Sequence, residues 1–391
     1  MAFEIDWRSV GLREDPFAVS PPSEPEAAVW ADMVELRRRF DRVLQEAKGS
    51  SQTQVILCRG PVGGGKTHAS LYFSLGRNWP AQAQGVGDVH VLRVPTPKEV
   101  GKPDRDFYID VMETIGVENT KRAVRRAIAE VGHERVLDVL RRTVLSPDIA
   151  KALVILGEDE DNPLASMYFF RKCTAAELRK LGLNRNIEKT QDYFRVLAGV
   201  ILCHIGLTES RDLDQHTRFC LWLDEMEDFV YFSPAQYRPF GQGLRELVDR
   251  LPSYFSLFLN FTLTSPEEYE EIELILGNYL IDRVTQQIFF DEMSKTEEVQ
   301  YVRELLSHYR CDDFDSELEG GDNPYYPFEE GALALLLIET PRRTPRNVNK
   351  RCRTALIKAF EEGLFSNSGN KVIDSDFVRR MSREELATEI G

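Results

Sequence analysis

Residues 60–67 read Gly60-Pro61-Val62-Gly63-Gly64-Gly65-Lys66-Thr67, and they decide how the rest of the chain is read. Every fixed position of the phosphate-loop pattern G-x-x-x-x-G-K-[S/T] is satisfied. The apolar run Gln54-Val55-Ile56-Leu57-Cys58 before it has the character of a buried strand, and His68-Ala69-Ser70-Leu71-Tyr72-Phe73 after it opens a helix. A glycine turn between strand and helix directs backbone N–H groups inward, and the helix N-terminus adds its partial positive charge. Gly60 to Thr67, with His68 adjoining, are thus expected to form a nest for a polyphosphate. Lys66 is placed to neutralise the β/γ-phosphates, and the Thr67 hydroxyl to complete a Mg²⁺ shell.

Outward from this loop, the chain divides by pattern. Residues 1–50 begin irregularly (Gly11 to Phe17, then the proline-rich Pro21 to Pro25). An amphipathic helix is expected from about Val29 to Ala47, with Trp30, Met33, Leu36, Phe40 and Leu44 on one stripe. A second strand is expected at Asp88–Val94. From about Asp106 to Ile205 the periodicity is helical almost throughout. Strand signals return at Arg218–Asp224, Tyr254–Leu263 and Gln287–Phe290, and the chain is helical after Ser294.

The strand Phe219-Cys220-Leu221-Trp222-Leu223 ends in Asp224-Glu225, an apolar run with an acidic tip. Downstream of a complete phosphate loop this is the Walker B arrangement: Asp224 holds Mg²⁺ and Glu225 polarises the water that attacks the γ-phosphate. Glu227 and Asp228 extend the tip and are expected to be solvated or paired across subunits.

Bulk properties bound the alternatives. A chain of 391 residues has room for two or three cores. No apolar run reaches the roughly 18 residues of a membrane span, and Met1-Ala-Phe-Glu-Ile-Asp6 is no signal peptide, so a cytoplasmic location without membrane contact is expected. The six cysteines are scattered and the six histidines have no ligand spacing, which leaves no metal site of the zinc type. A net charge of −15 argues against a surface coated for nucleic acid. Acidic runs lie at Glu158–Asp161, Glu267–Glu273 and Asp312–Glu319, whereas Lys102 to Glu209 holds 17 basic and 17 acidic side chains.

The order of phosphate loop, Asp-Glu strand, polar-tipped strand and C-terminal helices resembles the AAA+ ATPases. The likeness is to their origin-recognition and initiator-like branch, including bacterial relatives in phage defence and transposition regulation. It covers roughly residues 10–100 and 215–385. It implies an α/β P-loop core of three layers with a mostly parallel five-stranded sheet, a large helical insertion and a C-terminal helical lid. The corresponding boundaries are 1–50 for an N-terminal segment and helix packing on the core, 51–104 and 211–293 for the core, 105–210 for the insertion and 294–391 for the lid.

The resemblance also implies three further roles. A polar residue near the end of the Phe255–Thr264 strand senses the γ-phosphate or the water; Thr264 is the first choice, with Asn260, Thr262 and Ser265 as competitors. Arg283, ahead of the fifth strand, reaches a neighbouring subunit's γ-phosphate as an arginine finger. Arg346, in Thr344-Pro345-Arg346-Asn347, contacts the phosphates from the lid, with Arg342 and Arg343 as competitors.

Two departures stand out. Lys66 and Asp224 are 224 − 66 = 158 residues apart, roughly a hundred more than a compact core of this kind needs. The excess carries basic clusters at Lys121-Arg122, Arg125-Arg126, Arg141-Arg142 and Arg171-Lys172, read either as a DNA- or partner-binding face or as solvated helices. About ten residues follow Met381, too few for the winged helix that many initiator-like ATPases carry, so sequence-specific DNA reading is not expected. The function expected is Mg²⁺-dependent hydrolysis of ATP by a homo-oligomer acting on DNA or a DNA-bound complex. The alternative is a nucleotide-gated scaffold whose insertion grips a protein; a small-molecule kinase fits the Asp-Glu tip and the Pro-Arg lid less well.

Overall fold

The computed structural model describes residues 5–80, 88–97, 102–158, 162–208, 215–263, 269–314, 323–338, 340, 342–365 and 372–390. The chain forms two compact units, one of 38–60 with 73–289, the other of 1–37, 61–72 and 290–391. Among the described residues no helix is long and apolar enough to cross a membrane.

The first of these units is built on five strands, β1 (Gln54–Gly60), β2 (Val89–Pro95), β3 (Arg218–Asp224), β4 (Phe255–Thr262) and β5 (Val284–Phe289). Their order is β2-β3-β4-β1-β5 and every pairing is parallel. The expected α/β core with a five-stranded parallel sheet is therefore observed. β4 separates the strand that leads into the phosphate loop from the strand that carries Asp224. Level pairing of Gly60 with Thr262 and of Pro95 with Asp224 brings these strand ends to one edge of the sheet.

Parallel sheets are covered on both faces, so their central strands are apolar on both. Phe219, Leu221, Leu223, Leu257, Leu259, Val55 and Leu57 share a core with the helices between β2 and β3. On the other face Trp222 lies between Phe258 (centroids 4.3 Å apart) and Phe40 (6.1 Å). Phe40 belongs to helix α1 (Val34–Gly49), and α2 (Lys66–Tyr72) follows the phosphate loop.

Among the described residues seven helices lie between β2 and β3: α3 (Pro103–Ile115), α4 (Val117–Val131), α5 (His133–Val144), α6 (Pro147–Glu158), α7 (Pro163–Phe170), α8 (Ala175–Leu181) and α9 (Thr190–Ile205). α10 (Pro234–Arg250) and α11 (Tyr269–Ile281) flank β4. The insertion shares one apolar cluster with the sheet: Phe107, Phe194 and Phe240, from α3, α9 and α10, stand 5.1–5.9 Å from one another. Gly243 permits that approach, since a Cβ there would lie 2.0 Å from the Phe194 ring. The insertion's charges are largely answered from within it. Arg185 grips Asp192, only 2 % exposed, through two bonds of 2.7 and 2.9 Å, and Arg171 and Lys172 pair with Glu177 and Glu188.

The other unit contains α12 (Lys295–Tyr309), α13 (Glu330–Ile338), α14 (Pro345–Glu361) and α15 (Ser375–Ile390). Val10, Leu12 and Phe17 from the N-terminal segment are buried in the same cluster as Val302, Leu306, Leu333 and Val348. Hydrogen bonds tie the segment in place: Asn349 donates to the Ala18 carbonyl at 2.8 Å, and Arg353 meets Asp15 at 2.6 Å.

One helix start differs from expectation. α1 begins at Val34, not near Val29, because Asp32 and Met33 adopt left-handed backbone (φ 43° and 51°). The Asp32 N–H donates to Glu304 and the Trp30 indole to the Asp32 carbonyl, so tertiary contacts hold a conformation that costs a non-glycine residue roughly 1–2 kcal/mol.

Candidate functional site

In the unit that holds it, the loop 61–65 has the glycine geometry the motif requires. Gly63 and Gly65 have φ of +76° and +98°. A Cβ on Gly63 would lie 2.7 Å from the Arg346 Cβ and 3.3 Å from the Thr344 hydroxyl. Glycine there admits the N-terminus of α14 directly onto the loop. The Arg346 N–H donates to the Gly63 carbonyl at 3.3 Å. α14 starts here because Thr344 caps it, its hydroxyl accepting from the Asn347 N–H, and because Pro345 occupies the first turn. The structure thus brings Gly63, Thr344 and Arg346 together although 281 and 283 residues separate them in sequence.

Lys66 is buried and donates to the Pro61 carbonyl at 2.9 Å, which folds its ammonium back against the loop. Thr67 receives the Ser70 hydroxyl on its carbonyl. His68 is spent on structure: its Nε2 meets the Val29 carbonyl at 2.7 Å, and burial holds its pKa below the ordinary value against that bond. Of the two arginines competing with Arg346, Arg343 is engaged, donating to the Met293 carbonyl and pairing with Glu298, whereas Arg342 is exposed.

In the sheet unit, the tip of β3 is a buried polar network. Asp224 is 2 % exposed. Its Oδ2 accepts from Arg93 Nη2 of β2 at 2.8 Å, and its Oδ1 from Asn260 Nδ2 of β4 at 3.0 Å and the Glu225 N–H at 3.2 Å. Its carbonyl accepts from the hydroxyl and N–H of Thr96. Asn260, fully buried, takes the Trp222 indole N–H on its Oδ1 at 2.9 Å. Asn260 is therefore committed at both ends to positioning the tip. Glu225 has left-handed backbone (φ 61°), the kind of local strain that accumulates at functional sites.

Glu227, expected to be solvated or paired across subunits, accepts from the Thr262 N–H at 3.0 Å and so anchors the end of β4. Thr264 and Ser265 lie outside the described residues. Arg283 sits just before β5, about half exposed, and pairs with Asp249 at 3.0 Å.

Sequence reasoning missed Arg93 and the dual bonding of Asn260. Asn260 carried a signal, since an amide in a strand buried on both faces is costly unless a partner meets it; Arg93, half-buried on the edge strand β2, carried none.

Within its own unit, the glycine cradle with two nearby cations, Lys66 and Arg346, suits a polyphosphate; the Thr67 hydroxyl there and the Asp224 carboxylate in the sheet unit are each oxygens of the hard kind that magnesium prefers. No protein-family model and no curated protein matches the chain. Solved structures do resemble it. The Drosophila ORC bound to DNA aligns with a TM-score of 0.49 and 12% identity, over 96% of this chain and 65% of that one. The Aeropyrum pernix ORC1 protein in complex with DNA gives 0.43 and 13%, over 92% and 66%. The Aeropyrum pernix ORC2 protein in its ADPNP–ADP complexes gives 0.43 and 13%, over 95% and 72%. The chain thus spans about two thirds of the length of the solved chains it resembles.

Proposed function

We propose that the chain is a Mg²⁺-dependent ATP hydrolase of AAA+ type that assembles with copies of itself and serves as a switch or motor on DNA or a DNA-bound complex. The observation that carries this reading is the seating of Arg346 on Gly63, which adds a second, permanently charged side chain to a complete phosphate loop. The loop N–H groups and Lys66 bind the phosphates; Arg346 senses them from the lid. Thr67 and Asp224 hold the magnesium ion, which when bound supplies charge neutralisation at the phosphate oxygens. Glu225 orients and polarises the attacking water, Arg283 of a neighbouring copy approaches the γ-phosphate, and the end of β4 (Thr262 or Thr264) senses its presence. Positioning and electrostatics account for catalysis of this kind.

Two substitutions test it. Glu225→Gln is expected to lower turnover on the order of 10²–10³-fold while trapping ATP-bound oligomers, because it removes the general base and keeps the shape. Arg283→Ala is expected to abolish turnover and leave ATP affinity intact. Hydrolysis by Glu225→Gln at the wild-type rate would sink the assignment.

The scaffold reading is favoured by one feature of the insertion. Arg125 and Arg126 are turned onto backbone carbonyls of Gly157 and of Cys203 and His204, and Arg122 onto Asn119. Affinity for duplex DNA against salt separates the two. Phosphate contacts make log K fall linearly with log[salt], whereas a scaffold binds no DNA even at low salt.

A further inference from the structure

Five structural elements of the sheet unit converge on a cavity of about 630 Å³ at the amino-terminal ends of β2 and β3, the edge opposite Asp224. Lys48 comes from the end of α1, Arg77 from the 3₁₀ turn Gly76–Asn78, His90 from β2, Arg126 from α4 and His204 from the last turn of α9. Against one lysine, two arginines and two imidazoles the lining holds, among the described residues, one carboxylate, Asp88, which is exposed at the rim. We propose that this cavity is a second ligand site, built for a small phosphorylated molecule such as a phosphate monoester or a pyrophosphate.

Three observations support that chemistry. First, two of the three cationic groups are constrained, while Arg77 is exposed. Lys48 is 4 % exposed, and the Arg126 guanidinium donates to the His204 carbonyl at 2.9 Å, so it is fixed at the end of α9. Anchored donors arriving from separate elements suit an anion with several acceptor oxygens, for which arginine and lysine are the usual partners. Second, the rings of His90 and His204 stack 5.5 Å apart, and among the described residues the Nε2 of each is buried with no hydrogen-bond partner. A buried polar nitrogen left unpaired is unfavourable, and a ligand oxygen would relieve it. Third, burial first, then His90 and Arg126, push the His204 pKa down to about 4, so its imidazole stays neutral near pH 7 and adds no positive charge of its own beside Arg126.

A small ligand fits better than a nucleic-acid strand. The volume falls within the range of small-molecule pockets, roughly 300–1,000 Å³. Asp88 at the rim, Glu130 beside Arg126 (3.8 Å) and the net charge of −15 all oppose a continuous polyanion, while leaving room for a single phosphate group.

The test must silence the phosphate loop. Pyrophosphate is titrated calorimetrically into the full chain carrying Lys66→Ala, alone and combined with Arg126→Gln or Arg77→Gln. One saturable site per chain, weakened tenfold or more by either additional substitution, is the expected result. Absence of saturable binding in the Lys66→Ala chain overturns the proposal, as does binding indifferent to both arginine substitutions. Displacement of pyrophosphate by a single-stranded oligonucleotide at lower phosphate concentration also overturns it, in favour of nucleic acid. Because every arm lacks Lys66, failure here leaves the ATPase reading untouched.

Discussion

Two arginine–aspartate pairs in the sheet unit have nearly the same length and opposite surroundings. Arg93 meets Asp224 at 2.8 Å and Arg283 meets Asp249 at 3.0 Å. The Asp224 side chain is 2 % exposed and the Asp249 side chain 38 %. Distance therefore says little about what either pair does. An exposed pair is screened and worth about 0–1 kcal/mol, so Arg283 is free to leave Asp249 for a stronger partner. A buried carboxylate has lost its water, and every remaining partner matters. The exposed arrangement suits the role proposed for Arg283 toward a neighbouring copy; the buried one suits a side chain that must stay still.

The largest expected effect lies in the buried network. Asn260→Ala removes the acceptor of the Trp222 indole and one donor to Asp224 in the middle of the sheet. Stranding two buried polar groups is expected to cost about 2–4 kcal/mol, measured by urea unfolding. A loss below about 1 kcal/mol would show that water reaches this face, and the contrast between the two pairs would weaken accordingly.

That network also marks where the sequence stops being readable. The loop 60–67 and the Asp224-Glu225 tip are contiguous, and a contiguous motif carries its chemistry in its spacing. Arg93 and Asn260 reach Asp224 across 131 and 36 residues, through parallel pairings whose register no local pattern specifies. Thr344-Pro345 was legible as a helix start, since capping is local, but the contact of Arg346 with Gly63 is not local. The misplaced start of α1 has the same origin: an apolar stripe predicts helix from Val29, while a carboxylate 272 residues away holds Asp32 in a turn. In the insertion, periodicity located the helices, but the inward turn of Arg125 and Arg126 depends on which carbonyls α6 and α9 present.

A third carboxylate, in the other unit, extends the contrast to pH. Glu298 is 2 % exposed, and burial raises its pKa to about 7 despite Arg343 at 3.3 Å. The folded chain thus retains a proton that the unfolded chain releases near pH 4.5. This group's stabilising contribution is full below about pH 4.5, declines as pH rises, and is lost above about pH 7. Melting temperature is expected to fall between pH 5.5 and 8, and Glu298→Gln, neutral throughout, to flatten that part of the profile. An unchanged slope in Glu298→Gln would assign the dependence to other groups.

The smallest effect is the one that bears most directly on the comparison. In a double-mutant cycle on stability, the Arg283–Asp249 coupling is expected to stay below about 1 kcal/mol and to shrink in 1 M salt, where the Debye length is about 3 Å. The Arg93–Asp224 coupling, measured with Arg93→Met and Asp224→Asn, is expected to exceed it and to respond weakly to salt, because the carboxylate is out of reach of counter-ions. Equal couplings would mean that Asp249 restrains Arg283 as firmly as Arg93 is restrained. A finger held that way would need its own neighbour to release it, and Asp249→Ala would then raise turnover rather than leave it unchanged.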